Sequence, residues 1–200
     1  MHKTFPNMVI QFEDWRTSLA FPLLHKNRDV YPCFNDDIQG TGAVILAGAI
    51  RAFKLNGKAL KDQRIVFFGA GSSGVGVAET IQRHFELQGI SAHDARKMFY
   101  LVDSKGLVAR NRGDKLAEHK LSLARDEDDA PRLKTLEEVV RHVKPTALMG
   151  LSTVGGAFTS SVLEYMASIN QVRSRRLVSP RRLPNADGPV TTRRSRSCLR

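Results

Sequence analysis

The feature that most constrains the fold of this chain is a glycine-rich turn between a β-rich segment and a helical one. Residues 64–68 (RIVFF) precede it, and residues 75–88 follow with apolar side chains at helical spacing. The turn has the pattern GxGxxG, formed by Gly69, Gly71 and Gly74. In a strand–turn–helix unit, the first glycine permits the tight turn, the second lets the backbone approach a pyrophosphate, and the third lets helix and strand pack closely. A glycine turn without a ligand is the alternative, but this context favours a dinucleotide site.

Strands and helices alternate along most of the remaining chain. Strands are predicted at residues 97–102 and 146–151, and helices at 136–143 and 159–169. Residues 104–135 are polar and rich in charge, so we expect mostly loop there, with short helical turns. This alternation predicts an α/β fold, a Rossmann-like parallel sheet with helices on both faces. A helix is also predicted at 43–55. Its first half, AVILAGAI, is apolar on every side and is therefore expected to be buried.

Two carboxylate doublets follow short apolar strands upstream of the turn. Glu13 and Asp14 come after residues 8–12, and Asp36 and Asp37 come after residues 31–35. Ligands of open α/β folds collect outside the carboxyl ends of strands, and a site made only of oxygen atoms suits Mg²⁺ or Mn²⁺. The alternative is a pair of exposed acidic turns or helix caps. Spacing alone favours that alternative, because most acidic residues lie on protein surfaces.

A second acidic position bears on the choice of dinucleotide. Asp103 ends the strand that follows the glycine turn, where a carboxylate can accept hydrogen bonds from the adenosine ribose. It lies 29 residues after Gly74, which is farther than the usual spacing of about 20 from this motif. Ser104 and Lys105 come next, and a hydroxyl and a cation there favour the 2′-phosphate of NADP over NAD. The alternative for Lys105 is an ordinary solvated lysine.

Charge is distributed unevenly. The net charge is +11, but residues 173–200 contain nine arginines and one acid, so the rest of the chain has 22 basic and 19 acidic residues. We expect residues 172–200 to be a disordered Arg-rich tail, since such a composition buries too little apolar surface to fold. A shifted reading frame or a retained intron would produce this abrupt change. Binding of nucleic acid by the tail is the alternative, but no aromatic residue is interleaved with the arginines.

Composition also bears on the compartment. The longest apolar stretch has eight residues, too few for a membrane span. The first residues lack the apolar core of a secretory signal, and two cysteines do not suggest a disulfide framework. We expect a protein of the cytoplasm or the mitochondrial matrix that is not secreted.

In order and spacing, several segments closely resemble the malic enzymes, and the details are most similar to fungal members. The resemblance covers about residues 6–171. It rests on IQFEDW at 10–15, CFNDDIQGT at 33–41, FGAGSSGVG at 68–76, LVDSKG at 101–106, KPTALMG at 144–150 and MASIN at 166–170. It implies a fragment of the metal- and substrate-binding domain at residues 1–41, a dinucleotide-binding domain at 42–171, and the tail at 172–200.

The resemblance also implies roles for individual residues. Glu13, Asp14 and Asp37 would bind the divalent metal, Mg²⁺ or Mn²⁺, and Asp36 would sit beside the catalytic centre and orient the base. The cofactor would be held at its phosphates by Gly69 and Ser72. Lys120 falls where NADP-preferring members carry a lysine near the 2′-phosphate, which strengthens the preference for NADP, although some relatives accept both cofactors.

The implied reaction is the oxidative decarboxylation of malate to pyruvate and CO₂, coupled to reduction of NAD or NADP. In it, hydride leaves C2 of malate for the nicotinamide. The metal polarises the new keto group, so that a carboxylate departs as CO₂ and leaves a stabilised enolate, which a general acid protonates to give pyruvate. The tyrosine and lysine that serve as general acid and base in the family have no counterpart in this chain. We therefore expect the fragment alone to be catalytically incompetent. A non-catalytic dinucleotide-binding module or regulatory subunit is the alternative. Family members form homo-oligomers, and neither a membrane nor a nucleic acid is expected as a partner.

Overall fold

The computed structural model describes residues 3–5, 7–126 and 132–170. The strands are β1 (Ile10–Phe12), β2 (Cys33–Asn35), β3 (Ile65–Phe68), β4 (Phe99–Asp103), β5 (Gly106–Leu107) and β6 (Ala147–Gly150). The α-helices are α1 (Thr17–Asn27), α2 (Thr41–Asn56), α3 (Ser72–Leu87), α4 (Ala92–Lys97), α5 (Leu136–Val143) and α6 (Ser160–Ile169). The segment 172–200, predicted to be a disordered tail, lies outside the described residues, so that prediction stays a prediction.

A four-stranded sheet with the order β5-β4-β3-β6 forms the centre of the molecule. The strand β3 pairs in parallel with β4 on one side and with β6 on the other. The edge strand β5 runs antiparallel to β4, a pairing that the polar composition of residues 104–135 did not predict. The predicted Rossmann-like fold with a mostly parallel sheet is confirmed.

The two faces of the sheet bury separate sets of side chains. On β3, Ile65 and Phe67 belong to the core formed with α3, whereas Val66 belongs to the core formed with α5. This alternation follows from the two-residue period of a strand. All three are fully buried, and burying a side chain of this size contributes about 1.5–3 kcal/mol. The prediction of helices on both faces is thereby confirmed.

A second, two-stranded parallel sheet positions the acidic doublets. It pairs β1 with β2, with Ile10 opposite Cys33 and Phe12 opposite Asn35. The chain then enters a five-residue π-helical turn, Asp36–Gly40, where the side chain of Asn35 accepts a hydrogen bond from the Ile38 N–H at 3.0 Å. A Cβ added at Gly76 would lie 2.6 Å from the Ile38 carbonyl oxygen, so this glycine lets α3 approach the turn closely. The second doublet is therefore held against the helix that follows the glycine-rich turn.

One expectation about α2 is wrong. Its AVILAGAI half was expected to be buried on all sides, but Ala43, Val44 and Ala47 are exposed, with Val44 at 72%. The helix buries Ala49 and Phe53 on the side that packs against α3. Among the described residues nothing covers its opposite side, and this accounts for the exposure.

Over the described part of the chain, no helix combines the length and the apolar character that crossing a membrane requires.

Candidate cofactor and metal site

The glycine-rich turn connects β3 to α3. Gly69 has φ +122°, and a Cβ added there would lie 2.3 Å from the Leu151 carbonyl oxygen. A Cβ on Gly74 would lie 2.1 Å from the Gly69 carbonyl oxygen, so both positions require glycine for backbone reasons. At Gly71 a Cβ would meet only Thr17 Oγ1, at 3.7 Å. Packing therefore does not explain Gly71, whereas the close approach of a ligand would.

A crevice of about 880 Å³ opens beside this turn, at the carboxyl ends of β3, β4 and β6. The chain leaves β3 towards β4 on one side, and β6 returns on the other, so the crevice lies where the strand order reverses. The N-terminal turns of α3 and α5 border it, which places backbone N–H groups and positive dipole ends at its rim. Its lining includes the turn, the end of β4, and the loop after β6: Gly69, Ala70, Gly71, Asp103, Ser104, Lys120, Leu151, Ser152 and Thr153.

The helix α1 packs against the turn through two contacts. Ser72, which is 9% exposed, places its Oγ 2.9 Å from Thr17 Oγ1. The His119 ring stacks on Phe21 with 5.4 Å between centroids, and its Nε2 lies 3.3 Å from the Ala70 carbonyl oxygen. Burial lowers the pKa of His119 and the nearby Lys120 ammonium lowers it further, against the opposing effect of the Ala70 hydrogen bond. A neutral imidazole is thereby favoured at this junction.

A cluster of charged residues closes the rim at the end of β4. Both oxygens of Asp103 are fully engaged, since Arg112 donates to them at 2.8 and 2.9 Å, Lys120 at 2.7 Å and the Lys105 N–H at 2.9 Å. A carboxylate accepts about four hydrogen bonds, so this one is saturated. Burial raises the pKa of Asp103, but the hydrogen bonds from Arg112 and Lys120 outweigh that effect and lower it to about 2. Whether Asp103 also contacts a ribose stays a prediction.

Lys105, which the sequence placed near a 2′-phosphate, has an acidic partner. Its Nζ lies 2.9 Å from Asp114 Oδ2, and Arg112 also donates to Asp114. We term Asp103, Lys105, Arg112, Asp114 and Lys120 the rim cluster. Sequence reasoning missed Arg112 and Asp114, because neither belongs to a motif. A 3-10 helix followed by Gly113 at φ +92° precedes Asp114, and in the folded chain Arg112 contacts Asp103 while Asp114 contacts Lys105.

The predicted metal ligands come together. One carboxylate oxygen from each of Glu13, Asp14 and Asp37 lies within 4.8 Å of the others, and we term this group the acid triad. The Asp14 N–H also donates to Asp37 Oδ2 at 3.1 Å. Asp14 adopts the left-handed region with φ +56°, a conformation that aspartate tolerates better than most residues. Three convergent carboxylates with no nitrogen or sulfur donor suit a hard divalent cation.

Asp36 lies next to the triad in sequence but is not one of its members. A Cβ on Gly40 would sit 2.1 Å from Asp36 Oδ1, so the carboxylate folds over the π-helical turn against Gly40. The predicted role of Asp36 beside the catalytic centre stays a prediction.

Known proteins similar to this chain are malic enzymes. The family model "Malic enzyme, NAD binding domain" matches residues 38–180. An NADP-dependent malic enzyme of Dictyostelium discoideum is 52% identical over 163 residues, which is 82% of this chain and 30% of that protein. The mitochondrial NAD-dependent malic enzyme of Saccharomyces cerevisiae is 41% identical over 84% of this chain and 25% of that protein.

A solved structure gives the same result. The NAD-dependent malic enzyme of Thermotoga maritima aligns with a TM-score of 0.63 and 26% identity, over 79% of this chain and 39% of that one. The chain spans about 30% of the length of the Dictyostelium relative. The family match covers well over half of the chain, including the glycine-rich turn and the rim cluster. This protein belongs to the malic enzyme family, through its NAD-binding domain.

Proposed function

We propose that this chain supplies the dinucleotide site and the metal ligands for the oxidative decarboxylation of malate to pyruvate and CO₂. The observation that carries the proposal is that one short segment, residues 13–17, connects the two places. It contains Glu13 and Asp14 of the acid triad at one end and Thr17, which contacts the glycine-rich turn, at the other. Asp14 lies three residues before Thr17, the first residue of α1, and Thr17 contacts Ser72 in the turn. A cation and a nicotinamide cofactor would therefore bind side by side.

Glu13, Asp14 and Asp37 would hold Mg²⁺ or Mn²⁺. The fit rests on the convergence of their oxygens within 4.8 Å and on the absence of softer donors from the group. When bound, the cation would act as a Lewis acid on the substrate oxygen at C2. Asp36, held against Gly40, would orient a neighbouring base.

The pyrophosphate of the dinucleotide would lie against Gly71, with Gly69 and Gly74 shaping the turn. The N-terminus of α3 borders the crevice at Gly71 and would offer free N–H groups to the phosphates, and the Ser72 hydroxyl is held by Thr17. Bound dinucleotide would accept hydride from C2 of malate. The residues of the turn position this cofactor and exclude water from its phosphates.

We infer a preference for NADP over NAD. In NAD sites a carboxylate at the position of Asp103 accepts hydrogen bonds from the ribose hydroxyls. Here that carboxylate already accepts four hydrogen bonds, while Ser104 and Lys120 line the same crevice and Lys105 follows Ser104 in the chain. The rim therefore suits a 2′-phosphate better than a free 2′-hydroxyl.

We further propose that the 200-residue chain by itself binds ligands without turning over malate, since it spans only about 30% of the length of the Dictyostelium relative. The cytoplasm or the mitochondrial matrix would be its compartment. The test titrates the purified chain with NADP and with NAD in the presence of Mn²⁺, and assays malate oxidation in parallel. Saturable binding of NADP without turnover supports the proposal. Failure to bind either dinucleotide would contradict the cofactor site, and measurable turnover would contradict the inactivity of the isolated chain.

A further inference from the structure

The rim cluster leaves none of its cations without an acidic partner. Lys120 is paired with Asp103, Lys105 with Asp114, and Arg112 with both acids. Three cations and two carboxylates give this cluster a net charge of +1. A phosphate monoester carries about −1.5 to −2 charges near neutral pH, so at this rim it would compete with Asp103 and Asp114 for the cations.

The three cations differ in how much free energy is needed to draw each one away from its carboxylate partner. The side chains of Arg112 and Asp103 are each 9% exposed and that of Lys120 is 18% exposed. Removing a partner from a buried ion pair costs about 3–5 kcal/mol, because it leaves an uncompensated charge. The Lys105 side chain is 63% exposed, and an exposed ion pair contributes only about 0–1 kcal/mol. Lys105 is therefore the cation that a phosphate can recruit at least cost.

We propose that Asp114 is a specificity-determining residue, whose carboxylate competes with the 2′-phosphate of NADP for the ammonium group of Lys105. This inference rests on the proposed dinucleotide site and goes beyond it, since it assigns a role to an acid that does not itself line the crevice. Asp114 also places a negative charge at the rim that a dianionic phosphate must approach. Both effects act against NADP and leave NAD, which lacks the phosphate, almost unaffected.

The decisive variant is Asp114→Asn in the full 200-residue chain. It keeps the size of the side chain and leaves Arg112 on Asp103, so the fold should persist. Affinities for NADP and for NAD are measured by isothermal titration calorimetry at constant ionic strength. We expect affinity for NADP to rise by about fivefold, the upper end of what freeing one exposed ion pair contributes, and affinity for NAD to change less than about twofold.

Two matched variants separate this role from a general charge effect. Asp94→Asn removes the same charge from the start of α4, before the opposite end of β4, and should leave the ratio of the two affinities unchanged. Asp114→Glu keeps the charge and should restore the behaviour of the wild-type chain. If Asp114→Asn does not fold, Asp114→Ser removes the same charge with a smaller side chain and is read in the same way.

A double variant tests whether Lys105 carries the effect. In a Lys105→Gln chain, Asp114→Asn should raise NADP affinity by less than half of its effect in the wild-type chain. Two results would overturn the role of Asp114 without touching the proposed function. One is a full increase in NADP affinity in the Lys105→Gln background. The other is an unchanged ratio of NADP affinity to NAD affinity in Asp114→Asn while both dinucleotides still bind. A wild-type chain that binds neither dinucleotide would instead overturn the proposed function, and this inference with it.

Discussion

Ser72 Oγ and Thr17 Oγ1 lie 2.9 Å apart, although 55 residues separate them in the chain. Ser72 opens α3 in the glycine-rich turn, and Thr17 opens α1, shortly after Asp14 of the acid triad. One hydrogen bond thus joins the segment that would bind dinucleotide to the segment that would bind metal. Binding of one ligand should therefore change the affinity of the chain for the other.

Replacing Thr17 by valine tests this coupling. Valine keeps the shape but removes the hydroxyl, and a typical hydrogen bond contributes about 0.5–1.5 kcal/mol. We expect Mn²⁺ to increase the affinity of the wild-type chain for NADP. In Thr17→Val the factor of increase should be smaller by at least about twofold. Titrations of NADP with and without Mn²⁺ measure the effect. Thr17→Ser, which keeps the hydroxyl, should behave like the wild-type chain, and equal enhancement in all three proteins would contradict the coupling.

The glycines of the turn should separate stability from binding. In Gly69→Ala the new Cβ would collide with the Leu151 carbonyl at a backbone φ of +122°, so we expect a loss of about 2–4 kcal/mol in the free energy of unfolding. In Gly71→Ala the Cβ meets only Thr17 Oγ1 at 3.7 Å, so stability should stay within about 1 kcal/mol of the wild-type value. Dinucleotide affinity should nevertheless fall at least about tenfold in Gly71→Ala. Urea unfolding and calorimetric titration provide the two readings, and unaltered binding by Gly71→Ala would contradict the position assigned to the pyrophosphate.

The three carboxylates of the acid triad should bind one Mn²⁺ ion together. Asp37→Asn and Glu13→Gln each remove one charged ligand, and we expect the affinity for Mn²⁺ to fall about 10- to 100-fold. Electron paramagnetic resonance of free Mn²⁺ measures this directly. Asp29→Asn is a matched control, because Asp29 is an exposed acid with its side chain 83% accessible and lies outside the triad. An equal loss in the control, or none in the triad variants, would contradict the assignment.

Acid should weaken the rim cluster through Asp103. Its pKa in the folded chain, about 2, lies below the ordinary value of 3.8, so its contribution to stability is fully present above about pH 4 and is lost as the pH falls towards 2. The shift corresponds to a contribution on the order of 2 kcal/mol. Unfolding free energies at about pH 5 and pH 2.5 should therefore differ less in Asp103→Asn than in the wild-type chain. An identical pH dependence in both proteins would show that Asp103 is not stabilised by Arg112 and Lys120.

The sheet and its helices could be predicted from the sequence because their signals are local. The β-rich run at residues 64–68, the glycines after it, and the helical spacing beyond are properties of one continuous segment. The burial of α2 could not be predicted in the same way. An apolar helix surface favours burial, but its composition does not indicate which part of a protein covers it. The described residues cover only the side of α2 that carries Ala49 and Phe53.

The candidate site was predictable only where it carries motifs. The acidic doublets were ambiguous by spacing, and the resemblance to malic enzymes, rather than residue chemistry, favoured them as ligands. Their convergence depends on the parallel pairing of β1 with β2, which brings Asp37 to Asp14 across 23 residues. Arg112 and Asp114 belong to no helical or strand periodicity in the sequence. Their ion pairs with Asp103 and Lys105 are seen only in the folded chain.

A shared metal and cofactor site is tested most directly by binding Mn²⁺ and NADP to the same chain and measuring paramagnetic relaxation of the cofactor protons by NMR. If the acid triad and the glycine-rich turn form one site, Mn²⁺ should broaden the nicotinamide protons much more than the adenine protons, and Asp37→Asn should abolish the difference. Uniform or absent broadening, with both ligands shown to be bound, would contradict a shared site.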